Sequence, residues 1–182
     1  MARAEADLHP DTGGIDGDDE GAGAVPRRQG TRDATGISKA LTGRITLSPE
    51  PAIVAAESLL EFAAKTLRTD AGNRDSQIRT ALEAFQFPAI TFAPSALKAV
   101  EPAQRTDGKF TATLEGVMRI KGVEKPVSFT VTGSLDGGTL TGTAKGELKM
   151  TDFGITPLKT MDILWVEELV RLEVTFVAIA AG

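Results

Sequence analysis

The chain has 182 residues, with 20 lysine and arginine side chains against 25 aspartate and glutamate side chains, one histidine, and neither cysteine nor tyrosine. This length suffices for one ordinary domain with a sizeable core. The absence of cysteine excludes disulfides, thiolate metal sites and cysteine nucleophiles. A net charge of -5 without a clustered basic surface argues against nucleic-acid binding.

Residues 1–36 differ in composition from the rest of the chain. They hold four basic and eight acidic side chains, so -4 of the net charge lies in the first fifth of the sequence. The segment has few large apolar residues and no hydrophobic period, and therefore cannot compensate the entropy lost on ordering. We predict a disordered acidic N-terminal tail over residues 1–36, followed by one domain over residues 37–182.

The tail also lacks binding and sorting signals. His9 and the acidic run 16–20 offer metal ligands, but the EF-hand spacing is absent, so we interpret this run as solvated and expect no metal site. No apolar stretch typical of a secretory signal is present, and no run reaches the roughly 18 to 20 apolar residues of a transmembrane helix. At face value, the sequence predicts a cytoplasmic protein without a transmembrane segment.

A period of two begins at residue 38 and predicts a strand with one buried face. The positions that alternate there with polar residues are Leu41, Gly43, Ile45 and Leu47. A weaker alternation over residues 56–67 predicts a second strand.

Residues 70–85 have a helical period. Ile78, Leu82 and Phe85 fall on one face at i, i+4 and i+7. Pro88 prevents the helix from continuing. We therefore predict one short amphipathic helix between strands.

The remaining sequence predicts five further strands, two of them joined by the hairpin signal Asp136-Gly137-Gly138. Their ranges are 89–97, 110–120, 127–135, 139–150 and 170–176. About seven antiparallel strands and one short helix indicate a mainly β fold, an up-and-down barrel or a strongly curled sheet.

Several inward positions of these strands are occupied by small residues. They are Gly43, Ala112, Gly116, Gly133, Gly142, Ala144 and Gly146. Small residues in mid-strand leave space inside a barrel, but glycine also marks bends where strands curl. Both interpretations, an internal apolar cavity and a filled barrel, stay open at this point.

The candidate ligand-binding side chains are the apolar residues expected around such a cavity. The inward positions of the four clearest strands hold no charged residue. A ligand would therefore be a long neutral hydrocarbon, with any charged head near the mouth. The candidate lining residues are Leu60, Phe62, Phe92, Phe110, Leu114, Met118, Phe129, Val131, Gly142, Ala144, Leu148, Phe153, Trp165, Leu172 and Phe176.

Five short motifs follow one another between residues 38 and 180. They are Leu67-Arg68-Thr69 leading into 73–79, Phe87-Pro88-Ala89-Ile90-Thr91-Phe92, the hairpin 114–127 with its Lys121-Gly122-Val123 turn, Phe153-Gly154-Ile155, and the closing strand 170–174. In this order they resemble the YceI-like family of lipocalin-like, polyisoprenoid-binding barrels.

The resemblance implies an eight-stranded antiparallel barrel with a helix near one opening and an elongated apolar tunnel. It also implies a bound isoprenoid, quinone or fatty-acyl chain, no cofactor, and no catalytic residue, in a family commonly periplasmic or secreted. Arg74 and Asp75 match a family motif, which we interpret as a charge pair that fixes the strand-to-helix turn rather than as a head-group contact.

The sequence departs from this family pattern at its start. Nothing in residues 1–36 has the pattern of the family's first strand, so we predict a barrel that lacks it. The first and last strands would then have open edges, which favour pairing with another chain and would allow a homodimer.

We predict a non-catalytic protein that binds, sequesters or transports a long apolar lipid. The alternative is a structural or stress-linked interaction domain with a filled barrel and no ligand. Hydrolysis is disfavoured, because His9 lies in the tail and the carboxylates fall mostly at outward positions. The apolar segment 156–166, which includes Trp165, would either cover the mouth or plug the barrel.

Overall fold

The structure, a computed structural model, describes residues 2–6, 38–48, 52–69, 71–101, 108–156 and 168–179. Within these residues, the strands are β1 (Ala2–Ala6), β2 (Ser38–Arg44), β3 (Leu59–Ala63), β4 (Ala89–Glu101), β5 (Lys109–Ile120), β6 (Val123–Asp136), β7 (Thr139–Lys149) and β8 (Leu169–Ile179). One α-helix, α1 (Gly72–Ala81), precedes β4. Short 3-10 turns lie at Ala55–Glu57, Ala64–Thr66 and Met150–Phe153.

The eight described strands form a closed barrel in which each strand pairs antiparallel with its neighbour in the chain. β1 closes the barrel, because Ala4 lies opposite Leu41 of β2 on one side and opposite Phe176 of β8 on the other. The predicted mainly β, up-and-down barrel with one short helix is confirmed.

The prediction that the barrel lacks its first strand and has two open edges is wrong. Alanine alternates with Arg3 and Glu5 over Ala2–Ala6, but five residues without a large apolar side chain give a weak strand signal, and the strand conformation depends on pairing with both neighbouring strands. Residues 7–37 lie outside the described residues. The boundary between a tail over 1–36 and a domain over 37–182 therefore stays a prediction.

Two-residue turns connect β5 to β6 and β6 to β7. The φ angles are 51° and 77° at Lys121 and Gly122, and 51° and 81° at Gly137 and Gly138. Positive φ at both central residues is the pattern of a type I′ turn, whose twist matches that of antiparallel strands. The predicted hairpin at Asp136-Gly137-Gly138 is thereby confirmed.

Alternation of buried and accessible side chains follows the predicted period. Along β5, every second residue from Ala112 to Ile120 is buried, and Val127, Phe129 and Val131 are buried along β6. These side chains form one continuous apolar core with those of β4 and β7. In β4 a register shift between Pro94 and Ala96 changes the parity of the strand.

The helix is shorter than predicted and Phe85 lies outside it. Glu83 adopts the left-handed conformation that ends α1, with a φ angle of 48°. Its N–H donates to Thr80 O and the N–H of Ala84 to Arg79 O, as in a Schellman motif. The turn ends the helical period, so Ala84 is buried and Phe85 is fully exposed. The prediction that Phe85 shares the buried face of Ile78 and Leu82 is wrong.

Candidate functional site

One end of the barrel interior is filled with apolar side chains. This end lies beside α1, and it is sealed by Phe153 and Ile155, which are 1% and 6% exposed. Phe153 ends the 3-10 turn Met150–Phe153 that follows β7, and Ile155 comes two residues later. Both pack into the core with Met118 and Leu148. The rings of Phe92 and Phe129 meet edge to face with centroids 5.1 Å apart.

The inward side chains of β3 and β8 are more accessible than those of β5 and β6. The inward side chains of Leu172, Val174 and Phe176 are half-buried, as are those of Leu60 and Phe62. This side of the barrel is therefore less completely packed than the side formed by β5 and β6.

The predicted lining residues fall into two groups. Eight belong to the buried core, namely Phe92, Leu114, Met118, Phe129, Val131, Ala144, Leu148 and Phe153. Six are half-buried, namely Leu60, Phe62, Phe110, Gly142, Leu172 and Phe176. Trp165 lies outside the described residues, as does nearly all of the predicted covering segment 156–166.

Four inward glycines are covered by phenylalanine rings from neighbouring strands. A Cβ atom added at Gly146 would lie 2.7 Å from Phe129 Cδ1, and one added at Gly142 would lie 2.9 Å from Phe176 Cζ. The pairs are Gly116 with Phe92, Gly133 with Phe110, Gly142 with Phe176, and Gly146 with Phe129. At these positions the missing side chain makes room for a ring rather than for a ligand.

A short loop between β2 and β3 lies at the end of the barrel opposite α1. Leu47 and Ile53 form an isolated bridge within it, and Ile53 packs against the core. Ser58, which is 4% exposed, stabilises the loop because its Oγ accepts from Thr46 N at 2.9 Å and donates to Val54 O at 2.9 Å. We call residues 45–48 and 52–58 the mouth loop.

Sequence reasoning missed several residues of this region. Ser58 was not singled out, because a single serine within a predicted strand has no distinguishing pattern. Leu97 faces Leu114 on the inner face only because of the register shift in β4. Leu41, Leu140 and Val174 also lie half-buried at inward positions. The alternation of their strands predicts these positions, but the three residues are not among the predicted lining residues.

Asp75 is a buried charged side chain, with 6% exposure, and it lies at the start of α1 rather than inside the barrel. Its Oδ1 accepts hydrogen bonds from the hydroxyl and the N–H of Thr69, each at 2.7 Å. The Thr69 hydroxyl lowers the pKa of Asp75 below its ordinary value, against the opposing effect of burial. Asp75 therefore fixes the turn into the helix through Thr69. The predicted charge pair of Asp75 with Arg74 stays a prediction.

A groove of about 440 Å³ runs along the outside of α1. Hydroxyl side chains of Ser76, Thr80 and Thr156 line it. Lys121 crosses its edge, with its Nζ 2.8 Å from Glu83 Oε1 and 3.3 Å from Gly154 O. The ion pair joins the turn after the helix to the β5–β6 hairpin.

Within the described ranges, no group of three or more histidine or acidic side chains is arranged to hold a metal ion. None of the helices in that part of the chain is long and apolar enough to cross a membrane.

Comparison with known proteins identifies relatives of this fold. The family model of the YceI-like domain matches residues 16–178. The structure is similar to BcnA of Burkholderia cenocepacia, with 20% identity, a TM-score of 0.61, and coverage of 79% of this chain and 87% of that one. It is also similar to the YCEI protein of Campylobacter jejuni, with 16% identity, a TM-score of 0.64, and coverage of 90% and 94%.

A third similar structure is a polyisoprenoid binding domain from Saccharophagus degradans implicated in plant cell wall breakdown. It has 12% identity to this chain and a TM-score of 0.59, with coverage of 81% of this chain and 86% of that one. No curated protein sequence matches the chain significantly. At sequence identities of 12–20%, the likeness to these three solved structures shows a common fold and no more.

Proposed function

The chain belongs to the YceI-like family, and from this premise we propose that its barrel binds a long apolar lipid, such as a polyisoprenoid, a quinone or a fatty-acyl chain. Binding serves sequestration or transport, without chemical conversion of the lipid. The similar domain from Saccharophagus degradans is described as polyisoprenoid-binding, which supports this class of ligand.

The observation that carries the proposal is the half-buried apolar inner face of β3 and β8. Leu60, Phe62, Leu172 and Phe176 occupy half-buried inward positions. The alternating inward positions of β5, β7 and β8, and those of β6 from Val127 to Leu135, hold no charged side chain. Burial of each CH₂ group contributes about 0.8 kcal/mol. Two or three isoprene units would therefore contribute several kcal/mol, from which ordering costs are subtracted.

A binding role without catalysis agrees with the chemistry of the lining. A nucleophile needs a neighbouring base or a lowered pKa to become reactive, and the proposed lining residues are aliphatic, aromatic or glycine. Such a surface discriminates ligands by length and shape rather than by hydrogen bonds.

The second candidate function is an interaction domain with a filled barrel. The four phenylalanine rings that cover inward glycines favour it, because each ring occupies space that a lipid would need. The two candidates differ in what they require of β8. A lipid-binding barrel needs free volume beside Val174, whereas a filled barrel does not.

Native mass spectrometry tests the proposal. The full-length protein, delipidated by mild organic extraction, is mixed with a farnesyl or quinone analogue, and a one-to-one complex is expected. Val174→Trp, at a half-buried inward position, should abolish the complex, whereas Thr175→Trp, at the adjacent exposed position, should retain it. If the wild-type protein releases no lipid and takes up no analogue, the filled barrel is correct.

A further inference from the structure

Six exposed aliphatic side chains lie at the barrel end that carries the mouth loop. Their exposed fractions range from 40% for Ile45 to 61% for Ile179. They are Ile45, Leu47, Leu59, Leu135, Val177 and Ile179, which we call the collar.

The strand register places the collar residues at one end of the barrel. Leu59 begins β3 opposite Arg44, the last residue of β2, and Ile45 follows directly. On the other side, Leu135 is next to the last residue of β6, and Ile179 lies opposite Thr139, the first residue of β7. The collar therefore borders the mouth on several sides. Leu59, Val177 and Ile179 lie on the outer faces of their strands, so the collar forms the rim of the barrel.

We propose that the collar docks on the surface of a zwitterionic lipid bilayer, so that the mouth of the barrel faces the membrane. This inference rests on the proposed function, because it names the source or the acceptor of the lipid. A long apolar chain is unfavourably hydrated while it crosses water. A mouth seated on the bilayer lets it pass directly from one apolar phase to another.

Size and charge favour a bilayer over other partners. Exposed apolar patches mark interaction sites, but the collar comprises six residues, whereas each partner contributes roughly 20–30 residues to a standard protein interface. A second copy of the chain seated on the collar alone would thus form a weak dimer. Neighbouring side chains carry both signs, with Arg44 and Lys109 basic and Glu57 and Asp136 acidic, so the surface does not select an anionic lipid.

Co-flotation with phosphatidylcholine vesicles tests the docking. The double variant Leu47→Ser/Ile179→Ser should reduce vesicle binding of the full-length protein by roughly tenfold or more, because each substitution removes an aliphatic side chain from the apolar contact. The matched control is Phe85→Ser/Val123→Ser, which removes two exposed apolar side chains at the other end and should bind as wild type. Binding should change little between low and high salt, since apolar contacts are not screened.

A second measurement reports docking without relying on loss of binding. The chain has no cysteine, so Leu47→Cys and Val123→Cys can each be labelled with an environment-sensitive fluorophore. With vesicles, the label at position 47 should shift to the blue and be quenched by spin-labelled lipid, whereas the label at position 123 should stay unchanged. Equal response of the two labels, or response of neither, would overturn the inference.

The outcomes separate this inference from the proposed function. Uptake of a farnesyl analogue from solution, without binding to vesicles, would overturn the docking and leave lipid binding intact. Binding to vesicles without uptake of any analogue would overturn lipid binding and support docking alone. If the collar variant converts a dimer to a monomer in sedimentation velocity and vesicle binding is absent, the occupant of the collar is a second copy and the bilayer is excluded.

Discussion

Replacement of Gly146 by alanine tests whether the ring of Phe129 fills the space over β7. An added Cβ would lie 2.7 Å and 2.8 Å from two atoms of that ring and 3.0 Å from Ser128 O, whereas carbon atoms in contact rest at about 3.5–4.0 Å. Overpacking of a core costs about 1–3 kcal/mol. Alanine also recovers about 0.5–1 kcal/mol that glycine loses in a strand. We expect a net loss of about 1–2 kcal/mol in the free energy of unfolding.

Urea unfolding followed by far-UV circular dichroism measures this loss, and the melting temperature should fall by about 2–8 °C for a chain of this size. Gly72→Ala is the matched control. No atom lies within 4 Å of an added Cβ at Gly72, which begins α1. There, alanine should raise the free energy of unfolding by about 0.4–1 kcal/mol, because it restricts the unfolded chain.

A double-mutant cycle identifies the ring as the cause. In the background Phe129→Leu, the substitution Gly146→Ala should cost less than it does in the wild-type protein, because a leucine side chain leaves room for the added methyl group. A Gly146→Ala protein as stable as the wild type, or more stable, would contradict the covering of Gly146 by the ring. It would instead favour an open interior at this position.

Three further substitutions test the packing around the site. Asp75→Asn should lower the melting temperature at pH 7. Folding lowers the pKa of Asp75. Its stabilising effect is therefore complete above about pH 4 and is lost as the pH falls through the pKa of the folded state. In thermal melts, the difference in melting temperature between Asp75→Asn and the wild type should narrow towards pH 3. Ser58→Ala should lower the free energy of unfolding in urea by about 1–3 kcal/mol, because Thr46 N and Val54 O lose their hydrogen-bond partner. Ser95→Ala, at an exposed serine, should lower it by less than about 0.5 kcal/mol. Phe153→Ala removes a ring that is 1% exposed and should lower the free energy of unfolding by about 3–5 kcal/mol. The control is Phe85→Ala, at a fully exposed ring. If Phe153→Ala lowers the free energy of unfolding no more than Phe85→Ala does, the closure of the barrel beside α1 is contradicted.

The alternation of the sequence predicted most of the strands and their faces. From Phe110 to Ile120 the apolar residues recur at every second position, and the structure buries that face. The glycines after Asp136 also predicted their hairpin correctly. These features are local, since the period of a strand and the φ angles of a tight turn depend on a few consecutive residues.

Other features depend on partners that are distant in sequence. Ala2–Ala6 has only a short alternation of alanine with charged residues, and it becomes a strand because β2 and β8 pair with its two edges. Phe85 fits a helical period, but the left-handed turn at Glu83 places it in solvent. In β4, a register shift turns Leu97 inward, which no simple alternation predicts.

In the candidate site, too, some features follow from the local sequence and others only from the tertiary structure. Composition and alternation alone predicted that the inward positions of the four clearest strands are apolar, because each strand carries its own faces. Whether an inward glycine leaves space could be decided only in three dimensions, since the ring over Gly146 belongs to β6 and the ring over Gly142 belongs to β8. The volume beside a residue is a property of its neighbours across the sheet, and the register of the barrel selects those neighbours.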